Sequence, residues 1–137
     1  MNAMPLAAAT LAAATLLVSA GCRAQQPVLC SDTKPTNGPV YIEIDASTPT
    51  PTVTPKACQV IQGASITWIS NTKAFSLRFA DRGNPGGKGL PKDPSSSPSN
   101  GKQQYNINAR ADEGEYQYDV MIAGKSMDPA IIIRKSQ

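Results

Sequence analysis

Histidine is absent from all 137 residues, and its absence excludes more chemistry than any residue present supplies. There is no serine–histidine or cysteine–histidine catalysis, no histidine-ligated zinc or copper, and no histidine titration near neutral pH. Aromatic residues make up only 5% of the chain. Thirteen Lys and Arg against ten Asp and Glu give a net charge of +3, and no run of basic residues concentrates it. A nucleic-acid partner is therefore not indicated, because that needs a clustered basic face. The longest apolar stretch, residues 6–21, has 16 residues, short of the roughly 20 needed to span a bilayer. The length allows one domain once a targeting segment is removed.

That stretch, LAAATLAAATLLVSAG, carries no charge. A helix packed on the outside of the domain would be amphipathic, so residues 1–21 read as a signal peptide. Residues 1–5, MNAMP, supply no Lys or Arg to its start. It ends in Val18-Ser19-Ala20-Gly21-Cys22. Small residues before a cysteine resemble the lipobox of bacterial lipoproteins, in which that cysteine is acylated and becomes the mature N-terminus. Ser19 stands where that pattern has an aliphatic residue. Arg23, rather than Asp, follows Cys22, which the resemblance links to the outer membrane. Cleavage after Ala24, leaving a soluble periplasmic or secreted protein, is the alternative.

The chain has three cysteines, an odd number for an exported protein. Assigning Cys22 to a lipid leaves Cys30 and Cys58, and an oxidising compartment favours a structural disulfide between them. Neither lies in a C-x-x-C motif, and two cysteines without histidine make a poor metal site.

Residues 22–37 are polar, with two prolines, and read as a tether. From residue 38 the chain reads as short strands. Val40, Ile42 and Ile44 alternate with Glu43 and Asp45, as in a half-buried strand. Cys58-Gln59-Val60-Ile61 and Ser65-Ile66-Thr67-Trp68-Ile69-Ser70 flank a turn at Gln62-Gly63, and Phe75, Leu77 and Phe79 alternate again. Tyr105 to Ala109, Tyr116 to Ile122 and Ala130 to Arg134 complete the set, with the Ile131-Ile132-Ile133 run suited to a strand covered on both faces. The prolines of residues 47–52 predict a loop. Residues 81–102 hold 13 Gly, Pro or Ser among 22, too little apolar surface to repay ordering, which predicts a long flexible loop. The expected fold is all-β, a Greek-key β-sandwich of about seven strands over residues 38–137. Its core comprises Val40, Ile42, Ile44, Val60, Ile66, Trp68, Phe75, Leu77, Phe79, Tyr105, Ile107, Tyr116, Tyr118, Val120, Ile131 and Ile133.

The succession Val60-x-x-Gly63-x-x-Ile66-Thr67-Trp68, Phe75-x-Leu77-x-Phe79, Gly114-x-Tyr116-x-Tyr118 and Ala130-Ile131-Ile132-Ile133 resembles the cupredoxin family. That resemblance implies a cupredoxin-like domain, and it covers about residues 38–135. In the family V-x-x-G-x-x-V-x-W-x-N precedes the first copper histidine, and G-x-Y-x-Y-x-C carries the thiolate ligand. Here the thiolate position is Val120, the first histidine falls near Ala74 or Phe75, and the second falls within residues 122–125. Only Met127 lies where an axial methionine would sit. The resemblance thus implies the scaffold without copper or electron transfer: no catalytic residue, no cofactor and no metal.

Other constellations are weaker. Asp81, Asn84 and Asp93 offer calcium-type oxygens at a spacing that matches no EF-hand, and solvated loop charges explain them. Asp112-Glu113-x-Glu115 reads as a solvated corner rather than a catalytic pair. Lys73, Arg78, Arg82 and Lys88 suggest a mildly basic patch for anionic lipid or polysaccharide. The expected function is a non-enzymatic binding or structural module of the bacterial envelope, anchored by lipid if Cys22 is acylated. Its partner, an envelope protein or a glycan, would meet the loop at 81–102 and its neighbours. An immunoglobulin-like adhesion or inhibitor domain is the alternative, followed by a histidine-independent periplasmic enzyme.

Overall fold

The computed structural model describes residues 26–71, 73–122 and 124–136. The signal-type segment, Cys22 and Ala24 lie outside the described residues. Among those described, all regular structure is strand: β1 (Val28–Leu29), β2 (Val40–Asp45), β3 (Thr52–Thr54), β4 (Ala57–Ile61), β5 (Ser65–Ser70), β6 (Ser76–Phe79), β7 (Ser97–Ser99), β8 (Lys102–Asn108), β9 (Gly114–Met121) and β10 (Ala130–Arg134). These ten form two mixed sheets. One runs β1-β2-β5-β8-β7 with β3 also on β2, and the other runs β4-β10-β9-β6. The pairs β1–β2, β2–β5 and β4–β10 are parallel.

Alternation in the sequence becomes the inner faces. Val40, Ile42 and Ile44 of β2 and Ile66 and Trp68 of β5 point inward, against Leu77 and Phe79 of β6 and Tyr116, Tyr118 and Val120 of β9. Trp68 spans the interface, its ring centroid 6.2 Å from Phe79 and 5.7 Å from Tyr118. Its indole N–H donates to the Tyr118 hydroxyl at 3.1 Å. Burial pushes the pKa of that hydroxyl upward, although the Trp68 bond opposes the shift. Fifteen of the sixteen expected core residues are buried; Tyr105 is half-buried and packs against them. Ile132 corrects the expectation of a strand covered on both faces. It is half-buried on the outer face, between buried Ile131 and Ile133.

Two expected irregular segments are built into the fold. The chain joins the sheets at Val28 rather than at residue 38. β1 pairs with β2, and Ser31 and Thr36 carbonyls then accept from Gln59 and Ile61 N–H at 2.9 and 2.8 Å. Cys30, midway, is bonded to Cys58 of β4. Residues 28–36 thus cross from one sheet to the other along one side. Residues 81–102 close the other side and are not a free loop. Leu77 and Phe79 N–H donate to the Pro94 and Lys92 carbonyls, each at 2.9 Å, and β7 then pairs with β8 in the opposite sheet. Asn84, buried, anchors the start of this segment. Its amide donates to the Pro91 carbonyl at 2.9 Å and the Tyr105 hydroxyl at 3.0 Å, while its oxygen accepts from Gly86 N–H at 2.9 Å. Backbone hydrogen bonds and one buried amide supply the order that apolar content does not. The proline-rich 47–52 segment likewise ends in β3, an edge strand whose register sets Thr54 opposite Glu43.

Candidate functional site

Four segments meet at one end of the sandwich-like fold. Gly63 N–H, in the β4–β5 turn, donates to the Ala109 carbonyl at 2.8 Å, and the Gln62 side chain donates to the Ala111 carbonyl at 2.9 Å. Gln62 N–H reaches the carbonyl of Arg134, the last residue of β10, at 2.8 Å, and Ala111 N–H reaches Pro85 at 3.0 Å. The β8–β9 corner is pinned by Tyr116, whose hydroxyl donates to the Asp112 carbonyl four residues back at 2.6 Å. Arg82 lies over the Tyr116 ring at 4.5 Å and donates to the Glu113 carbonyl at 3.2 Å. Its guanidinium lies over the space beside Gly114. Gly114 has φ of +147°, a backbone conformation that favours glycine over any residue with a β-carbon.

Charge gathers at this end. A cleft of about 550 Å³ is lined by Arg82, Lys88, Lys92 and Arg110 with one carboxylate, Asp112. On the other side of the corner, a second cleft of about 610 Å³ is lined by Lys34, Arg134 and Lys135 with one carboxylate, Glu113. All seven cations are exposed. The ion pair found among the described residues is elsewhere, Arg78 to Asp93 at 3.4 Å. The sequence places only Arg82 and Lys88 of this set in a basic patch. Lys73 sits at the far end, in the β5–β6 loop, and Arg78 lies on β6 beside Asp93. Lys92 follows Lys88 in the same segment, whereas Lys34, Arg110 and the Arg134-Lys135 pair come from segments distant in sequence and are joined only by the strand order.

The opposite end holds the positions where the cupredoxin resemblance would put copper ligands. Ser76 pairs with Met121 and Leu77 with Val120, which sets Phe75 beside Ile122. Phe75, Val120 and Ile122 are buried, and Met127 packs against the core with its carbonyl 3.3 Å from Val120 N–H. These side chains offer one thioether and neither imidazole nor thiolate, so they do not fit a blue-copper ion. The calcium-type oxygens do not converge either: Asn84 is engaged in the three bonds above, and Asp93 pairs with Arg78. Asp112 and Glu113 line different clefts and do not face each other.

The fold brings together a carboxylate pair, Asp119 and Asp128, that no spacing in the sequence announces. On the outer face of the second sheet, Arg78 of β6 lies opposite Asp119 of β9, and Asp128 joins them at a depression of about 670 Å³. A hydrogen bond with the Asp128 carboxyl, then partial burial and the Asp128 charge, raise the Asp119 pKa, against Arg78 and Ser126. A raised folded-state value means that this contact stabilises the fold fully below the unfolded carboxylate value of about 3.9 and loses its effect as pH rises through the raised value. Asp128→Asn keeps a hydrogen-bonding group and removes one charge. It is expected to raise the melting temperature at pH 7 by about 1–2 °C, solvent screening keeping the effect small. Melting curves at pH 4 and 7 check this, the gain being confined to the higher pH; an equal shift at both would disprove the account in which Asp128 raises the Asp119 pKa.

Comparison with protein-family models, curated proteins and solved structures returns no match.

Proposed function

We propose that this protein is a non-enzymatic module of the bacterial cell envelope, a copper-free cupredoxin-like sandwich that binds an anionic partner through its basic end. The observation that carries the binding role is the gathering of seven exposed cations into two clefts lined by only two carboxylates. Exposed cations that outnumber the carboxylates around a rigid corner attract polyanions at little reorganisation cost. The envelope assignment draws on the signal-type segment, the lipobox-like Cys22 and the Cys30–Cys58 bond, which suits an oxidising compartment.

The parallel pairs β2–β5 and β4–β10 favour the cupredoxin-like reading over the immunoglobulin-like one, whose two sheets are antiparallel. The test is a titration of the full chain with a sulfated polysaccharide as polyanion probe, followed by calorimetry. Saturable binding is expected, weakened about tenfold in a Lys88→Glu, Arg110→Glu variant; equal affinity in both proteins would refute the site. Cu(II) added to the same protein is expected to give no intense visible thiolate-to-copper band, and such a band would refute the copper-free part.

A further inference from the structure

We infer that the basic end is a membrane-docking face, lying against the anionic phosphate headgroups of the bilayer with the opposite end directed away. The inference rests on reading that end as an anion-binding site. It adds which anion is bound and how the domain is oriented.

The path of the chain leads to this end from two sides. β1 is parallel to β2, and Val28 pairs with Val40, which pairs with Ile66 at the start of β5. Neighbouring Ser65 pairs with Asn108, the last residue of β8. Residues preceding Val28 therefore leave the fold at the basic end. β10 runs parallel to β4 toward the same turn, so Arg134 and Lys135 emerge there too. Six residue steps separate Cys22 from Val28, at most roughly 20 Å of extended chain. An anchor at Cys22 thus holds this end within a few screening lengths of the surface, each about 8 Å at physiological salt.

Surface chemistry points to the same end. The large apolar side chains exposed among the described residues are Val28 (60%), Leu29 (43%) and Leu90 (43%). Val28 is on the exiting strand, and Leu90 lines the cleft with Arg82 and Lys88. Apolar tips among lysines and arginines suit a headgroup layer, where the tips enter the acyl boundary and the cations meet phosphate. A soluble polysaccharide gives no reason for the apolar tips. At the far end, Asp45, Asp119 and Asp128 stand among Lys56, Lys73, Lys102 and Lys125, three carboxylates against four cations, where the two clefts of the basic end set seven cations against two carboxylates.

The full chain is reconstituted in phosphatidylcholine vesicles with and without phosphatidylglycerol, and backbone amide exchange is read by mass spectrometry. Slower exchange is expected over residues 82–91, 109–113 and 134–136 when phosphatidylglycerol is present, with residues 99–102 at the far end unchanged. A Lys88→Glu, Arg110→Glu, Lys135→Glu variant alters only exposed side chains and is expected to keep the parent melting temperature. It should lose the protection, with a fall of about 100-fold in partition to the anionic vesicles beyond that to the neutral ones. Identical exchange in both lipids, or protection at the far end, overturns the docking face. If the polysaccharide probe still protects the basic end in that case, the anion site survives and only its assignment to the membrane falls; if it does not, both fall. Intact mass reads the Cys22 anchor independently.

Discussion

Replacing both Cys30 and Cys58 by serine is expected to lower the melting temperature by about 15 °C. The two residues are 28 apart in sequence with Cα atoms 5.5 Å apart. Closing a loop of that length is worth about 3.5 kcal/mol in the chain-entropy model. For a domain of this size, unfolding entropy converts each kcal/mol into about 4 °C. The bond also holds residues 28–36 in place, and both cysteines are buried, so serine hydroxyls would sit in an apolar setting. Circular dichroism melts of the double variant, and of the parent after reduction, check this. A shift under about 3 °C would show that the cross-link contributes little beyond what the hydrogen bonds of Ser31 and Thr36 already provide.

Trp68→Ala is the other large effect. Trp68 is fully buried and touches three aromatic rings, with Tyr105 also at 5.7 Å between centroids. Truncating such a residue costs about 3–5 kcal/mol. Here it also leaves the buried Tyr118 hydroxyl without its donor, about 1–3 kcal/mol more. Against a typical stability of about 5–15 kcal/mol, the variant is expected to be largely unfolded near 37 °C. Tyr118→Phe separates the two contributions, since it removes the hydrogen bond and keeps the packing. A loss of about 1–3 kcal/mol is expected there, because the buried Trp68 N–H is left without an acceptor. As Trp68 is the sole tryptophan, its fluorescence reports the Tyr118→Phe experiment, and circular dichroism follows the Trp68→Ala melt. A Trp68→Ala protein that melts within about 5 °C of the parent would mean that the rings repack around the gap.

The strands were legible because alternation is a local signal: Val40 to Asp45 and Tyr116 to Val120 each display their inner face within a few residues. The disulfide was legible through counting and compartment. What stayed hidden was order supplied by partners far away in the chain. Lys92 and Pro94 look like linker until β6 is beside them, and Asn84 looks like a turn residue until Tyr105 and Pro91 take its amide. The basic end was missed for the same reason. Lys34, Arg82, Lys88, Lys92, Arg110, Arg134 and Lys135 form no run, so a scan for clustered charge passes over a face that exists only once four segments are folded together. Asp119 and Asp128 meet because a loop returns Asp128 to β9, and a nine-residue separation announces nothing.

Closure of both sides bears on the life of the chain before and after folding. An open sheet offers unpaired N–H and C=O groups as a template for strands of other chains. Here β4 is covered by residues 31–36 and β6 by residues 92–96, while β2 is shared between β1 and β3. The outermost strands that remain, β1, β3 and β7, have two or three residues each, and β7 carries Pro98. Short, proline-bearing rims recruit strands poorly. The segments that look most dispensable in the sequence are thus the ones that keep neighbouring copies from joining edge to edge, and the period of greatest aggregation risk lasts until residues 28–36 and 92–99 have settled into place.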